Sequence, residues 1–151
     1  MVDKQAVCHE AGHAVVAMNF GLVVTEICLE ESIPTARFNT TGATVQQACI
    51  VYAGGGAAER IIFGCFNKIA CQSDQQKVED AGGNGLENHL DYATEIIRAN
   101  AECHKAMCNE MVNNWVSEES VKIWSGSNSD KLNFVLLNGT RIKEIWQLYH
   151  P

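Results

Sequence analysis

A single, mainly α-helical α+β domain is the fold class that the sequence predicts, and three observations predict it. Apolar residues recur at helical spacing in three long stretches, over residues 3–20, 44–64 and 86–107. Residues 23–29 alternate instead, with Thr25, Ile27 and Leu29 on one side and Glu26, Cys28 and Glu30 on the other, which is the period of a half-buried strand. The chain has 151 residues, 46% of them apolar and 19% charged, enough for one core and too few for two.

Taken in order, Asp3 is placed to cap a first helix that Gly21 ends after Phe20. The strand at 23–29 follows, then a turn at Pro34, then a short partner through Ala36, Phe38 and Thr40, giving a small sheet with an open edge. Thr44 and Gln47 form a capping box for a second helix that reaches Gly64, with close packing or a local break at Gly54, Gly55 and Gly56. Residues 65–85 are polar and rich in turn formers, so they read as a long loop. A third helix carries His89, Ala93, Ile96, Asn100, Cys103 and Met107 on one stripe. Ser117 opens a short helix through Trp124, and residues 125–130 form a loop. The tail reads as two helices, one through Leu132, Val135 and Leu136 and one through Ile142, Ile145, Trp146 and Tyr149, with Gly139 as the C-cap between them.

Charge and composition exclude several classes of function. The net charge is −7 and the isoelectric point about 5.1, with no cluster of Lys and Arg, which argues against nucleic acid or an anionic membrane as partner. The apolar run at 14–24 is broken by Asn19 and Gly21 and falls short of the roughly 20 residues a membrane span needs. No signal peptide is recognisable. Seven cysteines form an odd set with no C-x-x-C pair, so they read as reduced thiols in a cytoplasmic protein. The glycine run lacks the Lys and Ser/Thr of a phosphate-binding loop, which argues against ATP binding.

One motif carries chemistry. His9-Glu10-Ala11-Gly12-His13 has the form H-E-x-x-H, and on a helix this spacing stacks both imidazoles on one face, where they can share a metal ion. Glu10 is then placed as general base toward a zinc-activated water. Gly12 inside the helix costs about 1 kcal/mol relative to Ala, which suits a close approach of other groups. Catalytic zinc takes three protein ligands and an open position, and the downstream candidates for the third are Glu59, Glu87, His89, Asp91 and His104. Spacing alone does not choose among them, although His104 reads as a hydrogen-bonded core histidine.

Three segments carry a resemblance. V-C-H-E-A-G-H-A-V-V-A at 7–17, A-G-G-G-A-A-E-R-I-I-F-G at 53–64 and G-L-E-N-H-L-D-Y-A-T-E-I at 85–96 are similar, in the same order, to segments of the peptidase domain of the FtsH family of membrane-tethered, ATP-dependent zinc proteases. The resemblance implies a helical zincin-like peptidase domain with a small edge-exposed sheet, spanning the whole chain. It also implies a third ligand at the position of His89, where the family has Asp, with Asp91 second and Glu59 third in order. Gly56 and Arg60 depart from the family pattern, and the tail matches only loosely. An ATPase module precedes the peptidase domain in the family, so a partner ATPase or a missing ATPase domain is implied, and a homo-oligomer is compatible with it.

The expectation is therefore a Zn2+ ion held by His9, His13 and His89, with Glu10 as general base and an extended peptide or unfolded protein segment pairing with the strand near Glu26 to Leu29. The alternative is a non-catalytic peptide-binding or assembly module that retains the peptidase fold.

Overall fold

The computed structural model describes residues 2–125 and 134–151, and within them it is α+β and mostly helical. The elements in order are α1 (Lys4–Asn19), β1 (Val23–Glu30), β2 (Ile33–Asn39), α2 (Val45–Phe63), α3 (Gln72–Asp80), α4 (Glu87–Ala99), α5 (Ala101–Ser125), β3 (Phe134–Asn138) and α6 (Gly139–Tyr149). No described helix is long and apolar enough to cross a membrane.

The first helix starts where the Asp3 side chain accepts from the Ala6 amide, 3.0 Å away. It buries Val7, Ala11 and Ala14 to Ala17 together with His9 and His13, so it runs through the core and carries polar side chains inside with it. Its chief neighbour is α2, which is capped by the Thr44–Gln47 box and ended by Gly64 at φ +81°, as the sequence predicts. The two helices cross at glycines. A Cβ on Gly12 would fall far inside van der Waals contact with the Gly54 carbonyl and 2.7 Å from the Ala58 Cβ, while one on Gly54 would meet the Gly12 carbonyl oxygen at 2.7 Å. The helix stays continuous through Gly54, Gly55 and Gly56, so the triplet serves close packing and makes no break.

The sheet has the order β2-β1-β3, antiparallel throughout. Glu31 and Ser32, both at positive φ, turn the chain between β1 and β2, so Pro34 lies inside β2 and not in the turn. Proline is tolerated there because β2 is an edge strand and loses no ladder bond. The sequence reading of the tail is corrected at two points. Val135 and Leu136 lie in β3, where Leu136 and Leu137 are buried and alternate ends stay half open, and Gly139 begins α6 instead of ending a helix. Asn138 is the cap, accepting from the Arg141 amide at 2.8 Å. Leu132 and most of the expected loop at 125–130 lie outside the described residues.

Two further corrections concern helices. The chain bends at Asn100 (φ −120°, ψ 28°), which separates α4 from α5, and α5 then runs unbroken past Ser117. Ser117 Oγ donates back to the Asn113 carbonyl, 3.1 Å away, inside the helix, and so caps no new one. The expected loop at 65–85 contains α3. This helix is polar on most sides and is held by Gln75–Glu79 and Gln76–Asp80 pairs, each 2.8 Å, with Cys71, Asp74 and Val78 buried on one stripe.

Because an added Cβ meets backbone and a Cβ of α2 and forces the helices apart, Gly12→Ala is expected to cost about 3 kcal/mol, at the upper end of ordinary overpacking. Chemical denaturation of the variant and the parent measures it.

Candidate metal centre

The crossing of α1 and α2 decides where the motif histidines point. His9 lies flat against Gly55, where any Cβ would overlap its ring. His13 packs one turn further along and its Nδ1 donates to the Val51 carbonyl at 2.8 Å. The opposite nitrogen of each ring then faces the other, with 3.1 Å between His9 Nε2 and His13 Nε2. Asp74, at the first turn of α3, closes a triangle: its Oδ2 is 2.9 Å from His9 Nε2 and 3.2 Å from His13 Nε2. All three residues are at least 95% buried.

Hydrogen-bond bookkeeping assigns the protons. A carbonyl only accepts, so His13 carries its proton on Nδ1. Glu59 Oε2 lies 3.0 Å from His9 Nδ1 and accepts from it in the same way, steadied by Gln5 Nε2 at 2.8 Å. In the neutral rings both Nε2 atoms therefore present lone pairs toward each other and toward a carboxylate oxygen. With neutral rings three acceptors converge with no donor among them, a set that protonation of the rings or a bound cation satisfies. The edges of 2.9, 3.1 and 3.2 Å are close to the roughly 3.4 Å between ligands of a tetrahedral ion at bonds of about 2.1 Å. Two histidines and a carboxylate, each histidine donating its second N–H to a carboxylate or carbonyl, are a donor set that fits zinc.

Proton affinities of the metal-free centre tell the same story. Burial by itself would lower His9, but hydrogen bonds to Asp74, Cys71 and Glu59 overcome it and push its pKa up to about 12. Burial also opposes the charge on His13, and the Asp74 carboxylate reverses that and raises it. Asp74 itself resists burial and is held below the usual carboxylate range by the two histidines. Burial raises Glu10, against the pull of His13 and His9, which moves this carboxyl toward the range where a general base works near neutral pH.

Glu10 is partly buried between α1 and β2, and its Oε2 accepts from the Ala36 amide at 2.9 Å. A cavity of about 200 Å³ lined by Gln5, His9, Glu10, Pro34 and Glu59 gives access to this edge of the centre. Past Ala36, a broader depression of about 540 Å³ along β2 is lined by Phe38, Tyr52 and Lys77, with the Phe38 ring 5.9 Å from that of His13.

Of the residues singled out in the sequence, His9, Glu10 and His13 come together here, and Glu59 joins them as the partner of His9 Nδ1. His89 does not. It sits on α4 with its Nε2 buried and without a hydrogen-bond partner, and it belongs to neither of the groups of close metal-capable atoms among the described residues. Asp91 is exposed and pairs with Arg60 at 3.1 Å, and His104 is a core histidine whose Nε2 donates to the Cys8 carbonyl at 3.0 Å. The residue that lies against the two histidines is Asp74, hidden by the reading of 65–85 as a loop. A signal for it existed: Cys71, Asp74 and Val78 are spaced three and four apart, a helical stripe with an acid at its centre. The strand expected to receive substrate is also corrected, since β1 is paired on both sides and the free edge beside Glu10 belongs to β2.

In the metal-free protein the raised His9 contributes stability that is complete below its unfolded value near 6.5 and is lost as pH climbs toward about 12. Zn2+ must displace these protons, so its binding is expected to release protons at pH 7 and to tighten as pH rises. Calorimetry in buffers of different ionisation enthalpy measures both.

No protein-family model matches the chain and no curated protein matches it, so the functional reading rests on the site and on the sequence segments themselves.

Proposed function

We propose that the chain is a zinc metalloendopeptidase that hydrolyses peptides or unfolded protein segments. The observation that carries this reading is the acceptor-only triangle of His9 Nε2, His13 Nε2 and Asp74 Oδ2, placed next to a carboxylate at the second position of H-E-x-x-H. The three ordered segments similar to the FtsH peptidase domain support it from the sequence side, with Asp74 in the role that the resemblance gave to His89. A partner ATPase, a homo-oligomer and a reducing cytoplasmic setting for the seven free thiols belong to the same proposal.

His9, His13 and Asp74 would hold the zinc, which supplies a Lewis acid that polarises the scissile carbonyl and acidifies a water. Glu10 accepts the proton of the attacking water as its oxygen bonds to the carbonyl carbon, and returns a proton to the amine as the C–N bond breaks. Glu59 and the Val51 carbonyl fix which nitrogen of each histidine is available. The free edge of β2 offers main-chain groups to an extended peptide. A substrate that takes the Ala36 N–H releases Glu10 from it, so docking on the strand and freeing the base are the same event.

Three variants separate this reading from a merely structural cluster. Glu10→Gln is expected to keep bound zinc and to lose a factor of about 10²–10⁴ in kcat on an unfolded, casein-like substrate. Asp74→Ala is expected to lose zinc affinity by more than ~10-fold, while His89→Ala keeps it. Metal analysis with a protease assay checks all three, and a Glu10→Gln protein as fast as its parent, or a chain that takes up no zinc, defeats the proposal.

A further inference from the structure

We infer that the His9 ring also serves a second metal position, on its Nδ1 side, built with Glu59 and Cys71 and suited to a thiophilic divalent cation such as Cd2+. The three side chains belong to residues that are 5%, 1% and 2% exposed, and their ligand atoms all lie within 4.8 Å of one another. Glu59 Oε2 is 3.0 Å from His9 Nδ1 and 3.6 Å from Cys71 Sγ. A tetrahedral ion with bonds of about 2.3 Å to sulfur and about 2.1 Å to nitrogen and oxygen has corresponding edges of roughly 3.4–3.6 Å. A thiolate beside an imidazole and a carboxylate selects softer ions than the two-histidine and carboxylate set does. The peptidase chemistry has no use for Cys71, yet it stands one turn before Asp74. The start of α3 thus carries one donor for each face of the same ring.

The two positions exclude each other. A neutral imidazole has one lone pair and one N–H. With an ion on Nε2 the proton sits on Nδ1, where Glu59 accepts it at 3.0 Å. With an ion on Nδ1 the proton sits on Nε2, where Asp74 Oδ2 accepts it at 2.9 Å. Each tautomer has a carboxylate ready, so the ring can serve either face and an ion on one withdraws it from the other. Binding at the Nδ1 side releases the Cys71 thiol proton to solvent.

The donor set alone carries this inference, which does not depend on peptide hydrolysis. The test uses the full chain with Cys65→Ser, which removes the exposed thiol, stripped of metal and titrated with Cd2+. The expected result is a thiolate-to-cadmium charge-transfer band in the ultraviolet that is lost in Cys71→Ser. Asp74→Ala keeps that band at saturating Cd2+, with affinity lowered by about 10–100-fold because the Nε2 proton loses its acceptor, while it removes zinc-dependent cleavage, so the two readings fail separately. One equivalent of Zn2+ added first suppresses the band. A band that survives Cys71→Ser overturns the site, and full binding of both ions together overturns the exclusion. Should Cys71→Ser fail to fold, X-ray absorption of the singly loaded Cd2+ protein decides: sulfur in the shell supports the site, and a shell of nitrogen and oxygen alone overturns it.

Discussion

The closeness of α1 and α2 at Gly12 and Gly54 is the constraint on which the rest of the molecule depends. With side chains at these positions the helices would separate, and every partner that α2 offers to the motif would be lost together. The Val51 carbonyl would leave His13, Glu59 would leave His9, and the bare Gly55 backbone would no longer support the His9 ring. The glycine inside H-E-x-x-H is therefore a packing residue for the second helix. Its local helix penalty of about 1 kcal/mol is offset by the burial and hydrogen bonds that the approach permits.

This dependence explains what could be read from the sequence. The motif helix, its cap, and the capping box and glycine end of α2 are local signals, written in residues a few positions apart. Glu59 and His9 are 50 positions apart, and His9 and Asp74 are 65 apart. Their meeting depends on the crossing and on how α3 folds back, and no local pattern encodes that. The α3 helix was further disguised because its exposed faces are polar and its stability comes from Gln–carboxylate pairs and three buried residues. The tail was misread for the opposite reason. A short apolar run such as Phe134 to Leu137 fits a helix or a strand equally, and only the vacant side of β1 settles the matter.

The resemblance by segments implies a third ligand on α4, and the structure places His89 outside both groups of close metal-capable atoms among the described residues. Aligning on Asn88 and Ala93-Thr94 directs attention to α4, which the structure packs against α2 through Leu90, Ala93, Thr94 and Ile97. His89 stands beside that stripe, while Gln75 of α3 accepts from the Leu86 amide at 2.8 Å and ties the start of α4 to the neighbouring helix. A carboxylate reaches the two histidines from α3, which precedes α4. The acid beside the two imidazoles thus comes from α3, a different place in the chain from the one the resemblance implies.

The charges around the centre show why such a site can exist in a folded protein before any metal arrives. Glu10, Asp74 and Glu59 bring three negative charges to a region that excludes most water, an arrangement that is costly unless positive charge accompanies it. Protonation of both histidines supplies two positive charges, and a divalent ion between neutral histidines supplies the same two. The nearby carboxylates accordingly hold the protons of His9 and His13 more tightly than a free imidazole holds its own. Under the proposed function, exchange of these two protons for one divalent ion would leave the local charge unchanged. The fold and the site are then held by the same condition: two positive charges must sit among these carboxylates, and the pH decides only how readily protons give them up to a metal.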